Sequence, residues 1–287
     1  MKKILALTDL SENSAHAARF ASMLAGQMKK GLILYHSYAV LPVIPSYAGA
    51  PWVARDIVYA AKQRKAHLED LAEQLSAVPG IGSPAKIETS SDEGSLVTNV
   101  KKLIKQNDIE MIVMGAASGS RIDHFLNGRD TLAIISTCPC PVLVIPRAAE
   151  PKPIWKIIFA TALHDRDIAA ASYLVNLARV LGAHLEIVHM LPLAGGETEE
   201  WQEARFMHLL ENFKYPLITY HRMRAKSISA HLQHEGKEYG ADTLALIHYH
   251  HGFLTGLFAH GTIRQLLAHH NLPVLVLPAE MELESPD

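Results

Sequence analysis

The run Pro141-Val142-Leu143-Val144-Ile145-Pro146 returns 132 residues later as Pro273-Val274-Leu275-Val276-Leu277-Pro278. A short, uncharged, β-branched run closed by prolines reads as a strand, the fifth and last of its copy. Its recurrence marks the chain as an internal repeat. Further back, Lys3-Ile4-Leu5-Ala6-Leu7-Thr8 reappears after 153 residues as Lys156-Ile157-Ile158-Phe159-Ala160-Thr161. Leu32-Ile33-Leu34-Tyr35-His36 reappears as Leu185-Glu186-Ile187-Val188-His189, with the histidines in register. Since the offset shrinks toward the end, the first copy carries extra residues, between its second strand and the next helix.

Helical stretches alternate with these runs. Ser11 or Asn13 can cap a helix with Ala15, Ala18, Met23 and Leu24 on its inner face. Helices are expected over 55–75, 95–105, 131–136 and 168–181, a weak third strand over 86–89, and fourth strands over 111–114 and 245–247. Alternation of this kind implies α/β architecture with right-handed crossovers: two tandem, doubly wound, five-stranded parallel-sheet domains. The expected boundaries are 1–147 and 154–280, joined by a polar, proline-bearing linker over 148–153.

The chain has 287 residues, 49% apolar and 20% charged, with 27 basic residues against 29 acidic ones. That composition supports packed cores, and the charge balance speaks against a nucleic-acid binder. No apolar run reaches the roughly 18–20 residues of a membrane span. The start of the chain meets Asp9 too early for a signal peptide. Cys138 and Cys140 lie too close together for an ordinary disulfide, and a reducing cytoplasm is the expected location.

The order of these pieces resembles the universal stress protein family, over essentially the whole chain and twice. The carrying residues are the first strand ending in Thr8-Asp9, the Ile112-Val113-Met114-Gly115 exit of the fourth strand, the later Gly128, and the closing Pro-Val-Leu-Val strands. The resemblance implies strand order 3-2-1-4-5 and an adenine nucleotide, ATP or AMP, at the carboxyl ends of the first and fourth strands. Thr8, Asp9, Ser37, Met114, Gly115, Ser118, Gly119, Gly128 and Arg129 are the implied ligand residues of the first copy. Ser118 stands where the family's middle glycine falls, and Arg129 where a small hydroxyl is usual. A helix start there would attract anions, with Arg129 adding a charged contact and Asp130 opposing it.

The second copy departs in the opposite way. Gly261-Thr262-Ile263 matches the phosphate-binding helix start, whereas His248 and His251 are aligned with the two earlier glycines and Ala162 replaces the strand-end aspartate. Of 17 histidines, 13 fall after residue 150. His164, Asp165, His248, His250 and His251 could converge on zinc, or the histidines could form the polar rim of a former nucleotide pocket or meet a phosphate near Thr262. The repetition of His36 and His189 points to one shared packing role.

The proline-rich apolar segment 38–52 is expected to act as a lid or, slightly favoured, an interface. The apolar closing strands 142–145 and 274–277 need cover, so the two halves are expected to pair through them, and two chains to form a homodimer. With no Walker lysine, Ser-His-Asp set or metal-held water with its base, the expected function is a nucleotide-sensing regulator of the stress response. ATP hydrolysis would be at most slow and incidental. The competing reading is a nucleotide-free module acting through protein contacts or a small ligand.

Overall fold

The computed structural model describes residues 2–39, 51–77, 86–116, 128–165, 167–191, 200–224, 240–249, 266–267 and 271–281. The chain divides into two compact units, Met1–Thr131 and Leu132–Asp287. This division follows packing rather than the repeat, and falls before the sequence junction at 148–153.

Unit 1 contains β1 (Lys3–Leu7), α1 (Glu12–Gln27), β2 (Gly31–Tyr38), α2 (Pro51–Ser76), β3 (Ile87–Glu93), α3 (Leu96–Gln106) and β4 (Ile109–Gly115). Its strands lie in the order β3-β2-β1-β4 and every pair is parallel. Ile4, Leu5, Leu32, Leu34, Ile112 and Val113 are fully buried, as strands covered on both faces require. The start of α1 is capped by Ser11, whose hydroxyl accepts from the amide of Ser14. Asn13, the alternative cap, sits inside the helix. Of the expected lid or interface segment, Tyr38 belongs to β2 and Pro51 and Trp52 open α2, while 40–50 lie outside the described residues.

Helix α4 (Gly128–Thr137) crosses the division. Unit 2 continues with β5 (Val142–Ile145), β6 (Lys156–Thr161), α5 (Asp167–Leu181), β7 (His184–Leu191), α6 (Glu200–Asn212), β8 (Ile218–Arg224), β9 (Thr243–His248) and β10 (Val274–Pro278). The order is β5-β10-β9-β6-β7-β8. From β10 to β8 all pairs are parallel, and β5 joins β10 antiparallel, with Val144 opposite Val274 and Val142 opposite Val276. The α/β class with a mostly parallel sheet therefore stands, and the second copy repeats the strand sequence of the first. Among the described residues, no helix is long and apolar enough to cross a membrane.

Candidate functional site

In unit 1, β1 lies between β2 and β4, so the chain leaves the sheet in opposite directions on its two sides. The carboxyl ends of such strands form the crevice where open α/β sheets hold ligands. The crevice begins with the turn from β1 into α1. Thr8 is buried; its hydroxyl accepts from the amide of Leu10 at 3.0 Å and shares a 2.9 Å hydrogen bond with Ser14. Leu10 takes a left-handed conformation with φ 64°. Asp9 stands half-buried beside it, its Oδ1 accepting from the amide and hydroxyl of Ser11 at 3.1 and 2.5 Å. The predicted carboxylate is thus in place and fixed in direction.

Across the crevice, Asn13 Nδ2 donates to the carbonyl of Ala116 at 2.7 Å, tying the first turn of α1 to the exit of β4. A Cβ on Gly115 would meet Asn13 Nδ2 at 2.8 Å and the Asn13 carbonyl at 3.3 Å. A side chain there would have to displace Asn13. Met114 is fully buried in β4 and belongs to the core. Arg129 is exposed in the first turn of α4, next to Gly128. Ser118 and Gly119 lie outside the described residues.

The end of β2 supplies a stacked column. The Arg64 guanidinium lies 4.2 Å over the Tyr38 ring, which stacks on His36 at 6.2 Å. His36 Nδ1 lies 2.8 Å from the Thr8 carbonyl and, facing an acceptor, must donate, leaving Nε2 as the acceptor of the neutral ring. Burial and then the Arg64 charge hold the imidazole below its usual range, against the opposing influence of the Thr8 carbonyl and Asp9. Ser37 is turned inward: its hydroxyl donates to the Gly94 carbonyl at 2.8 Å and lies 3.2 Å from Asn99 Nδ2. Its side chain is thereby committed to the β3 side.

Unit 2 keeps the turn and changes its chemistry. Thr161 accepts from the amide of Leu163 at 2.9 Å, and Leu163 has φ 59°, as Thr8 and Leu10 do in unit 1. Ala162 occupies the Asp9 position. A carboxylate enters instead from Asp167, where unit 1 has Ser14. Asp167 is fully buried and accepts from the Thr161 hydroxyl at 2.5 Å, from the His164 amide at 3.2 Å, and from the Tyr249 hydroxyl. Burial raises its pKa, against the lowering effect of these hydrogen bonds and of His164.

Strand register also corrects the alignment of the histidines. Ala6 faces Val113 and its counterpart Phe159 faces Ala245, so Gly115 corresponds to Ile247 and His248 to Ala116. Sequence spacing alone places His248 one residue out. The described members of the expected zinc set have separate partners. Asp165 pairs with Arg205 at 2.8 Å, His164 meets the Tyr249 ring edge to face, and His248 Nε2 lies 3.3 Å from the Ser136 hydroxyl. Among the described residues, no group of three or more His, Cys, Asp or Glu is placed to hold a metal. The zinc reading loses its support, and His250, His251, Gly261, Thr262 and Ile263 lie outside the described residues.

His36 and His189 are both buried, and their polar partners differ. His189 Nδ1 lies 3.0 Å from the Tyr220 hydroxyl; that hydroxyl donates to Glu203 Oε1 at 2.8 Å, and Arg222 clamps the same carboxylate. Burial, as the largest influence, lowers His189 to about 4. By register, Tyr220 and Arg222 replace Thr89 and Ser91 of the first copy, so the new partner comes from substitutions on the neighbouring strand.

The fold is shared with solved structures of low sequence identity. A universal stress protein from Archaeoglobus fulgidus DSM 4304 is 16% identical, with TM-score 0.68 over 96% of this chain and 98% of its own. A Pseudomonas aeruginosa UCBPP-PA14 chain assigned to the same family is 14% identical, with TM-score 0.52 over 97% and 93%. The cytoplasmic domain of a prokaryotic cation chloride cotransporter is 11% identical, with TM-score 0.54 over 98% and 97%. A comparison with curated proteins gave no match. The family model described as universal stress protein family matches residues 1–146, just over half of the chain. This chain belongs to the universal stress protein family.

Proposed function

We propose that unit 1 binds an adenine nucleotide, ATP or AMP, at the carboxyl ends of β1 and β4, and that the chain serves in the cytoplasm as a nucleotide-sensing regulator rather than an enzyme. The observation that carries this reading is the crevice itself: the Asp9 carboxylate is held by Ser11 on one wall, and on the other β4 ends in Gly115, which adds no side chain beside Asn13. A carboxylate there is an acceptor for ribose hydroxyls. The exposed Arg129 at the start of α4 supplies positive charge beside the positive end of the helix dipole, which suits phosphate. Titration calorimetry of the purified chain with ATP and with AMP tests the reading. Saturable binding that Asp9→Ala weakens at least tenfold supports it, and absence of heat with both nucleotides refutes it.

A nucleotide-free module acting through protein contacts is the second reading. It draws on Trp155 and Leu217, which are 51% and 42% exposed just before β6 and β8, the two strands that flank β7. The antiparallel ladder between β5 and β10 supports the further proposal that the closing strands of the two repeats pair within one chain, leaving homodimer formation to other surfaces.

A further inference from the structure

The second crevice is bridged by the chain's own side chains. Tyr249 follows β9 directly and reaches over to the turn between β6 and α5, where its hydroxyl donates to Asp167 Oδ1 and its ring meets His164 edge to face at 6.1 Å. The other oxygen of Asp167 accepts from the Thr161 hydroxyl at the end of β6 and from the amide of His164. One aromatic side chain is therefore fastened across the ends of two neighbouring strands, at the place where unit 1 has its candidate crevice. In unit 1 the position of Asp167 is Ser14, whose hydroxyl stays within its own turn, bonded to Thr8 and Ser11. The position of Tyr249 is an alanine there, Ala117.

We propose that Tyr249 is a latch that closes the crevice of unit 2, so that the chain takes up a single nucleotide, in unit 1. This inference rests on the nucleotide reading of unit 1. Three differences act together. Ala162 removes the carboxylate that Asp9 offers. Ile247 puts a branched side chain where Gly115 has none. The Tyr249 ring spans the space a nucleoside would need, and its anchor is a buried carboxylate satisfied by three donors. Displacing the ring would strip a donor from that carboxylate, which a ligand must then replace.

The test uses the full chain, ATP in calorimetry, and 8-azido-ATP photolabelling with peptide mapping. The wild type is expected to take up one equivalent, with label confined to peptides from residues 1–131. Ala162→Asp/Ile247→Gly, with Tyr249 kept, is expected to stay unlabelled in peptides from 132–287, and adding Tyr249→Ala to that chain is expected to gain label there. Two equivalents in the wild type, label in unit 2 while Tyr249 is kept, or no label gained when Tyr249→Ala is added, would overturn the latch. Hydrogen exchange without nucleotide reads the latch independently. Tyr249→Phe removes only the hydroxyl, and amides 163–167 should then exchange about tenfold faster; unchanged exchange overturns the latch. Should the wild type bind no nucleotide, the reading of unit 1 falls, and the exchange result alone decides whether the latch exists.

Discussion

The turn from β1 into α1 and the turn from β6 into α5 have the same backbone and opposite chemistry. Both place a threonine at the strand end, both put its hydroxyl on the amide two residues on, and both hold a leucine at positive φ. In the first turn the carboxylate, Asp9, sits half-buried at the crevice and accepts from the amide and hydroxyl of Ser11. In the second the carboxylate, Asp167, is buried in the first turn of α5 and receives a hydroxyl from across the crevice. A repeated fold preserves the geometry of a ligand edge even where the groups that would meet a ligand have turned inward. Geometry alone therefore cannot tell an open site from a closed one; the direction of each polar group can.

The largest break in this comparison should come from Asp167→Ala. It leaves the Thr161 hydroxyl, the His164 amide and the Tyr249 hydroxyl without their acceptor in a buried setting, a loss of roughly 3 kcal/mol. Ser14→Ala, at the same position of unit 1, removes a neutral hydroxyl bonded to Thr8 and Ser11 and should cost about 1 kcal/mol. Thermal denaturation of the two variants compares them, and equal losses would mean that Asp167 is no more than a larger serine.

Strand exits give the next contrast. Ile247 is 3% exposed and its truncation to alanine should cost about 2–4 kcal/mol through the cavity left behind. Gly115→Ala fails for the opposite reason, because its new methyl has to displace Asn13; overpacking of this kind costs about 1–3 kcal/mol. Shortening the neighbour in Asn13→Ser should recover part of the loss in the double variant, measured by denaturant midpoints. A Gly115→Ala chain as stable as wild type would show that the approach of Asn13 is not tight.

Much of this was legible in the sequence, for a physical reason. Strands buried on both faces must be apolar throughout, so 4–8, 32–36, 142–145 and their repeats announce themselves without any partner being known. Ser11 and the strand-end Thr8-Asp9 are local signals, readable from adjacent residues. What escaped depended on partners distant in the chain. Asp167 lies just outside the helix expected over 168–181 and carries no local signal, because its bond to Tyr249 spans 82 positions. Tyr249 was hidden in a histidine-rich run whose imidazoles suggested metal, although the hydroxyl among them makes the contact. His36 and His189 are identical in register, and only the change from Thr89 to Tyr220 on the next strand gives the second one a different partner.

That pair predicts a pH effect. His189 is held down to about 4 by burial, between Tyr220, Glu203 and Arg222, while an unfolded histidine titrates near 6.5. Between those values the unfolded chain binds the extra proton, so stability falls as pH drops from about 6.5 to about 4, by roughly 1.4 kcal/mol per pH unit for one group. His36 is also lowered and acts in the same direction. Replacing His189 by Asn should flatten its part of the acid limb. Denaturation midpoints at pH 7, 5.5 and 4.5 measure it, and an unchanged limb would assign the acid sensitivity to His36.

The smallest expected effect lies where the copies differ in strain rather than in contacts. Helices α1 and α5 end in the same double hydrogen bond. The amides of Lys29 and Lys30 bond to the carbonyls of Gly26 and Ala25, and those of Gly182 and Ala183 to Arg179 and Ala178. This pattern needs a left-handed residue just past the helix, and the two copies supply Lys29 at φ 54° and Gly182 at φ 65°. A lysine held there carries steric strain of about 1 kcal/mol that glycine avoids. Nothing lies within 4 Å of a Cβ built on Gly182, so the penalty is conformational and not a clash. Lys29→Gly should therefore stabilise unit 1 by roughly 0.5–1 kcal/mol, and Gly182→Lys should destabilise unit 2 by a similar amount. If both substitutions shift the denaturation midpoint in the same direction, the two helix ends are not energetically equivalent, and the loops beyond them, rather than the residue at positive φ, set their stability.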